Sequence, residues 1–135
     1  MAAASRLGKQ ISEIITALDQ ADIRFALIGG LALASYKVIR ATQDIDLLVD
    51  TSESDKVDAA LTKLRYRCLH RSSDAGNYLR SDERVDLLYA SREISRRLLA
   101  GAIKRKTSFG MLPVIGPEGL IGFKLQALAN DPRRT

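Results

Sequence analysis

The sequence predicts an α+β domain in which a mixed β-sheet of about five strands is flanked by helices. Two observations lead to this prediction. Short runs of strand-forming residues alternate with segments whose apolar residues recur at helical spacing. The chain has 135 residues, of which 46% are apolar, and this length suits one domain with its own core rather than two. We therefore expect residues 1–135 to form a single domain.

In the first half of the chain, residues 7–19 place apolar side chains at helical spacing and predict an amphipathic helix. Residues 24–28 (RFALI) are a short apolar run typical of a strand; this run stops at a diglycine, and residues 31–36 then predict a helix. Residues 45–49 (IDLLV) lie among acidic residues at alternate positions, as in a strand with one buried face. N-cap candidates follow that strand, before apolar residues at helical spacing over 57–64.

The second half of the chain predicts three short strands, a helix, a strand and a final helix, in that order: residues 66–70, 77–80, 84–89, 91–100, 111–115 and 118–130. A polar, glycine-containing turn separates the first two of these strands, so the three should form a meander that extends the sheet. The final helix follows Gly116 and Pro117, and proline suits the first turn of a helix.

The composition limits the function classes. The formal net charge is +5, and residues 91–106 account for it with six basic residues against one acidic residue. Such a segment is either a surface for the phosphates of a nucleotide or nucleic acid, or the solvated face of a helix. One cysteine and one histidine exclude a Cys/His zinc site and an internal disulfide. No apolar run approaches the roughly 20 residues that span a bilayer, so we expect a cytoplasmic protein that does not contact the membrane.

Acidic residues and a diglycine are the candidate functional groups. Asp44 and Asp46 are two residues apart at the start of a predicted strand, which puts both carboxylates on one face. Neighbouring carboxylates repel each other unless a cation lies between them, and Mg²⁺ prefers such oxygen ligands; a solvated strand edge is the simpler explanation. Asp86 would join them if its own strand lay alongside. Gly29 and Gly30, between a strand and a helix, either form a plain turn or leave backbone N–H groups for phosphate.

The order of these features resembles the nucleotidyltransferase superfamily related to DNA polymerase beta. Its pattern is hG[GS], a gap, Dh[DE] and a third acid on a later strand. Here the pattern is Ile28–Gly30, thirteen intervening residues, Asp44–Asp46 and then Asp86. The context GGLALASYKVIRATQDIDLLVD looks most like the bacterial AbiEii-type nucleotidyltransferases, a group that includes toxins of toxin–antitoxin systems. The segment PEGLIGFKLQALANDPRRT also resembles that group, which carries a lysine in a helix after the third acid.

The resemblance implies transfer of a nucleotide from an NTP such as ATP by a two-metal mechanism. Asp44 and Asp46 would hold Mg²⁺ ions that bind the triphosphate. Asp86 would share the second ion and help to deprotonate the incoming nucleophile, so that two cations stabilise both the attacking and the leaving oxygen.

The remaining candidates would contact the nucleotide. Gly29 and Gly30 would cradle the β and γ phosphates. Lys124 lies within the apolar stripe of its predicted helix, so its ammonium either extends past that surface into water or reaches the triphosphate, as the family lysine does. Arg40, shortly before the acids, is open to the same two interpretations.

The leading functional hypothesis is NMP transfer to a hydroxyl of RNA, tRNA or a protein, as in toxin–antitoxin relatives. The alternatives are a small-molecule, antibiotic-type acceptor and a non-catalytic module that binds a nucleotide or a partner. Relatives usually continue after the equivalent of Thr135 into helices that shape the acceptor side. We expect that C-terminal extension to be absent here, which leaves a role for a partner chain or a homodimer.

Overall fold

Seven strands form one mixed sheet in the part of the chain that the computed structural model describes, residues 2–28, 45–107 and 109–115. The helices are α1 (Ala2–Gln20), α2 (Ser54–Lys63) and α3 (Glu93–Ala100), and a 3-10 helix at Thr51–Glu53 precedes α2. The strands are β1 (Phe25–Ile28), β2 (Ile45–Asp50), β3 (Arg67–Arg71), β4 (Ala75–Arg80), β5 (Glu83–Ala90), β6 (Ile103–Thr107) and β7 (Gly110–Val114). Their order across the sheet is β3-β4-β5-β2-β1-β7-β6.

The α+β class is confirmed, and the expected number of about five strands is corrected to seven. The strand that sequence patterns miss is β6, whose residues IKRKT carry three successive basic side chains. It is an edge strand with mostly exposed side chains, so it lacks the apolar alternation that identifies a strand with one buried face. The helices predicted over 31–36 and 118–130 lie outside the described residues.

The core lies between one face of the sheet and the helices α1 and α2. Alternate residues of the central strands point to this face and are buried: Phe25, Leu27, Ile45, Leu47, Val49, Val85, Leu87 and Tyr89. From α1, Ile11, Ile14 and Leu18 pack against them at helical spacing. Among the described helices, none combines the length and the apolar character that crossing a membrane requires.

The centre of the sheet is the parallel pair β2 and β5, with β1 antiparallel on the other side of β2. A parallel pair needs a long crossover, and here α2, β3 and β4 lie between the two strands in sequence. The register places Ile45 opposite Val85 and Asp46 opposite Asp86. Because register partners share a face, the apolar partners continue the core and the two acids lie together on the other face.

Two side chains of β4 fix the sheet to the helices. The Arg80 guanidinium donates to Glu83 at 3.0 Å, to Glu13 of α1 at 3.2 Å and to the carbonyl oxygen of Leu64 at 2.9 Å. The Tyr78 hydroxyl donates to Asp58 of α2 at 2.6 Å, and the Tyr78 side chain is completely buried. These bonds hold β4 in place, and β4 is the neighbour of the strand that carries Asp86.

Both edge strands of the described sheet carry exposed basic side chains. All five residues of β3 are exposed, including Arg67 and Arg71. At the opposite edge, Lys104 and Lys106 of β6 are also exposed. The charge excess predicted for residues 91–106 therefore lies partly on a strand rather than wholly on a helix.

Candidate functional site

Asp46 and Asp86 are the predicted site residues that the structure brings together. They are register partners on the adjacent parallel strands β2 and β5, a separation of about 4.8 Å between strands. Both are half-buried, while Ile45, Leu47 and Val85 beside them are buried on the other face. Asp86 thus lies next to Asp46, the juxtaposition on which its predicted role depends.

Two donors hold the Asp86 carboxylate. Asn77 on the neighbouring strand β4 is its register partner, and the Asn77 Nδ2 donates to Asp86 Oδ1 at 2.7 Å. Arg84 lies two residues earlier on the same face of β5, and its Nε donates to Oδ1 at 3.1 Å and to Oδ2 at 3.3 Å. The carboxylate is 26% exposed and the Arg84 side chain 47% exposed, so the site is open to a ligand from solvent.

The two carboxylates suit a hard cation, because Mg²⁺ is commonly held by one or two carboxylates together with substrate phosphates. In the described part of the chain, no group of three or more His, Cys, Asp or Glu side chains could hold a metal ion. The third acid of the predicted set, Asp44, lies outside the described residues. The predicted nucleotide-binding residues also lie outside them: Gly29, Gly30, Arg40 and Lys124. Their roles remain predictions.

Asn77 and Arg84 were missed by reasoning from the sequence alone. A signal for Asn77 exists in the hairpin between β4 and β5, which turns through two residues, with Arg80 paired to Glu83. A two-residue hairpin loop fixes the register of both strands. Counting back from that turn places Asn77 opposite Asp86, so its proximity could have been predicted. Arg84 is two residues from Asp86 and shares its face by strand parity.

The strand register also locates the basic residues of β6 relative to the acids. Asp46 pairs with Ile28 on β1, and β1 pairs in parallel with β7. Lys104 pairs with Pro113 and Lys106 with Met111 on β7, which places both lysines on the face of the acids. β6 is three strands from β2, or about 14 Å at the usual strand spacing.

Cys68 and His70, to which the sequence assigns no role, lie on the edge strand β3. A bulge shifts the register between them, so that Cys68 pairs with Tyr78 and His70 with Asn77. The simple strand parity that would put both side chains on one face is therefore wrong here, because a β-bulge adds one residue to its strand. His70 joins the row of Asn77 and Asp86 on the site face, at the exposed end of that row.

Comparison with known proteins identifies the fold. The crystal structure of ANT(2'')-Ia in complex with adenylyl-2''-tobramycin matches with a TM-score of 0.74 at 18% identity, over 93% of this chain and 78% of that chain. The lincosamide antibiotic adenylyltransferase LnuA, lincomycin-bound, matches with a TM-score of 0.67 at 16% identity, over 85% and 84%. A tRNA nucleotidyltransferase complexed with a primer tRNA and an incoming ATP analog matches with 0.53 at 11% identity, over 82% and 36%.

These structures share the fold of the described sheet, and no curated protein sequence matches the chain. The family model for aminoglycoside-2''-adenylyltransferase matches residues 10–91, a range that contains Asp46 and Asp86. The matches support the superfamily predicted from the motif but no particular closeness to the AbiEii-type enzymes. Because this family model matches more than half of the chain, the chain belongs to the aminoglycoside-2''-adenylyltransferase family of the nucleotidyltransferase superfamily.

Proposed function

We propose that this protein is a metal-dependent nucleotidyltransferase that moves NMP from an NTP to a hydroxyl of a small, antibiotic-type molecule. The observation that carries the proposal is the pairing of Asp46 with Asp86 on one open face of the sheet, within the range that matches the family model. The relatives bound to adenylyl-2''-tobramycin and to lincomycin support a small-molecule acceptor. They favour this alternative over the RNA or protein acceptor that is the leading hypothesis from the sequence.

In the proposed reaction, the acceptor hydroxyl oxygen attacks the α-phosphorus of the NTP. The bond from that phosphorus to the oxygen bridging to the β phosphate breaks, and pyrophosphate leaves. Asp86 accepts the hydroxyl proton, which is the role of a general base. Asp44 and Asp46 would hold two Mg²⁺ ions, the second of them shared with Asp86, and these ions would supply charge stabilisation for the attacking and leaving oxygens.

The triphosphate would be held by residues that lie in the sequence between β1 and β2 and after β7. Gly29 and Gly30 would offer backbone N–H groups to the β and γ phosphates. Arg40 and Lys124 would add positive charge, a guanidinium being suited to bidentate contact with phosphate. These contacts do not need a covalent protein intermediate, since catalysis of phosphoryl-type transfer rests on positioning and electrostatics.

The test is transfer of AMP from ATP to tobramycin and to lincomycin in the presence of Mg²⁺. The transfer is measured through the mass of the product and the amount of pyrophosphate released. We expect Asp86→Asn to lower the transfer rate by about 100-fold or more, the usual contribution of a general base being 10²–10⁴-fold. Asp46→Asn should lower the rate as well, because it removes a carboxylate that would hold Mg²⁺. Asp50→Asn is the matched control, since Asp50 lies on the same face of β2 at its other end. Transfer by Asp86→Asn at the wild-type rate would refute the assignment.

A second candidate is transfer to RNA, as in the toxin–antitoxin relatives of the AbiEii type. It is favoured by Lys104 and Lys106, which the register places on the face of the acids. Incubation of the protein with labelled NTPs and total RNA tests it. The double variant Lys104→Gln with Lys106→Gln should then reduce RNA labelling at low salt and leave small-molecule transfer unchanged, because phosphate contacts are the salt-dependent part of nucleic-acid binding.

If NTP binds without any turnover, the protein is instead a nucleotide-binding module. Calorimetric titration with NTP, with and without Mg²⁺, detects this outcome. Measuring oligomeric state under the same conditions shows whether a homodimer forms. A partner chain that completes the acceptor side would appear as transfer that requires its addition.

A further inference from the structure

A row of register partners crosses three adjacent strands on the site face. Asn77 of β4 lies opposite Asp86 of β5, and Asp86 lies opposite Asp46 of β2. Partner side chains on neighbouring strands have Cβ atoms about 4.5–5.5 Å apart. The side-chain amide of Asn77 can therefore contact the Asp86 carboxylate directly from the neighbouring strand.

The bond between these two side chains is short and directed. Asn77 Nδ2 lies 2.7 Å from Asp86 Oδ1, whereas most N–H···O bonds are near 2.9–3.0 Å, and bonds to ionised groups are shorter and stronger. The last torsion of an aspartate is broad and is not fixed by the backbone. A donor on Oδ1 restricts that torsion, so the Asn77 bond, together with the contacts from Arg84, sets which way Oδ2 points.

The other donor, Arg84, differs from Asn77 in charge. Its guanidinium lies within 3.3 Å of both carboxylate oxygens, and a positive charge there opposes any cation that the carboxylate binds. The Asn77 amide is neutral and adds no such repulsion. Asn77 can therefore keep its bond to Asp86 while a divalent cation is present. Asn77 also belongs to the same sheet as Asp46 and Asp86.

We propose that Asn77 is a positioning residue that orients the Asp86 carboxylate toward the cation and the acceptor hydroxyl. This inference rests on the proposed function, because it assumes that Asp86 binds a divalent cation. Asn77 does not touch the reacting atoms; it acts through Asp86. Groups that orient metal ligands in this way are typically worth 10–100-fold in metal affinity or activity.

Calorimetric titration of the full chain with Mn²⁺, in the absence of nucleotide and acceptor, tests the proposal. Asn77→Leu keeps the approximate size of the side chain and removes the donor, and we expect it to weaken Mn²⁺ binding by about 10–100-fold. In the transfer assay its kcat should fall while the KM for ATP stays near the wild-type value. Asn77→Gln, which retains an amide donor, should recover part of both losses.

The matched control is Leu79→Ala, two residues along the same face of β4, which should bind Mn²⁺ as the wild type does. Asn77→Ala replaces Asn77→Leu if the latter does not fold, as judged by its urea unfolding curve. The inference would be overturned if Asn77→Leu, or Asn77→Ala in its place, bound Mn²⁺ within about twofold of the wild-type affinity. It would also be overturned if Leu79→Ala lost as much affinity as the Asn77 variant.

Failure of the proposed function gives a different result. Wild-type protein that binds Mn²⁺ but transfers NMP to no acceptor refutes the proposed function alone, and the Asn77 variants still decide the positioning role through Mn²⁺ affinity. Wild-type protein that binds no Mn²⁺ overturns the positioning role together with the metal mechanism.

Discussion

Substitution of Tyr78 by Phe should separate the stability of this domain from its chemistry. Tyr78 is the chain neighbour of Asn77 on β4, and successive side chains of a strand point to opposite faces. Asn77 faces Asp86, whereas the Tyr78 hydroxyl donates to Asp58 of α2 at 2.6 Å from within the core. The Phe variant keeps the ring that fills this space and removes only the hydroxyl.

The expected cost follows from the surroundings of the lost bond. Hydrogen bonds to charged groups contribute about 1.5–3 kcal/mol. The Asp58 side chain is 34% exposed, so water can replace the lost donor and the cost lies at the lower end, about 1.5 kcal/mol. For a domain of this size, that corresponds to a Tm lower by about 6 °C.

Urea unfolding followed by far-UV circular dichroism measures the stability of wild type and Tyr78→Phe. Mn²⁺ affinity and the transfer rate should be unchanged, because the site face is untouched. A loss below about 0.5 kcal/mol, which is the level of an ordinary surface substitution, would show that the bond does not anchor β4. A loss of transfer with intact stability would refute the separation of the two faces.

The same substitution should also change how the free energy of unfolding depends on pH in alkaline solution. Burial raises the pKa of Tyr78 far above its ordinary value of 10.0, and the bond to Asp58 raises it further. Burial likewise raises the pKa of Tyr66 and Tyr89. The folded state therefore keeps these hydroxyls neutral. Their contribution to the free energy of unfolding is fully present below about pH 10. It is lost as the pH rises above that value, by up to about 1.4 kcal/mol per pH unit for each tyrosine. Tyr78→Phe should lose stability less steeply above pH 10, and equal slopes would contradict this.

Three further substitutions test other contacts. Arg80→Met should lower the free energy of unfolding by about 3 kcal/mol in a urea titration, because it leaves two half-buried carboxylates without their cation; a loss below 1 kcal/mol would contradict this. Asp50 accepts from the backbone N–H of Ser52, the largest cause of its lowered pKa. Asp50→Ala should therefore cost about 1 kcal/mol at pH 7, a difference present above about pH 4 and lost as the pH falls through the lowered pKa; a cost that does not decline as the pH is lowered below about 4 would refute it. Arg84→Gln should tighten Mn²⁺ binding about tenfold, since it removes a positive charge within 3.3 Å of both oxygens of the carboxylate that would bind the cation, and weaker binding would contradict this.

The sequence could predict the acids of the site because a strand repeats every two residues. That period separates Asp46 and Asp86 from the buried residues beside them, and the structure places β2 and β5 as neighbours. Their pairing is long-range, however, and nothing local in either strand specifies it. It was expected only from the resemblance to a family with a third acid.

The parts that were not predicted depend on edges and on irregular register. β6 is an exposed, basic edge strand and has no apolar pattern to reveal it. The bulge between Cys68 and His70 reverses the parity that their spacing suggests. Asn77 was overlooked although the hairpin determines its partner, because its amide has meaning only once Asp86 is known to lie opposite.

The basic edge strands also bear on how copies of this protein meet. An edge strand presents unpaired backbone groups that can template the strand of another molecule. Here, two copies that approached through β3 or β6 would bring Arg67, or Lys104 and Lys106, against like charges. Growth of an intermolecular sheet is therefore opposed at both ends of the described sheet, and polyanions or high salt, which neutralise or screen those charges, are the conditions under which self-association would begin.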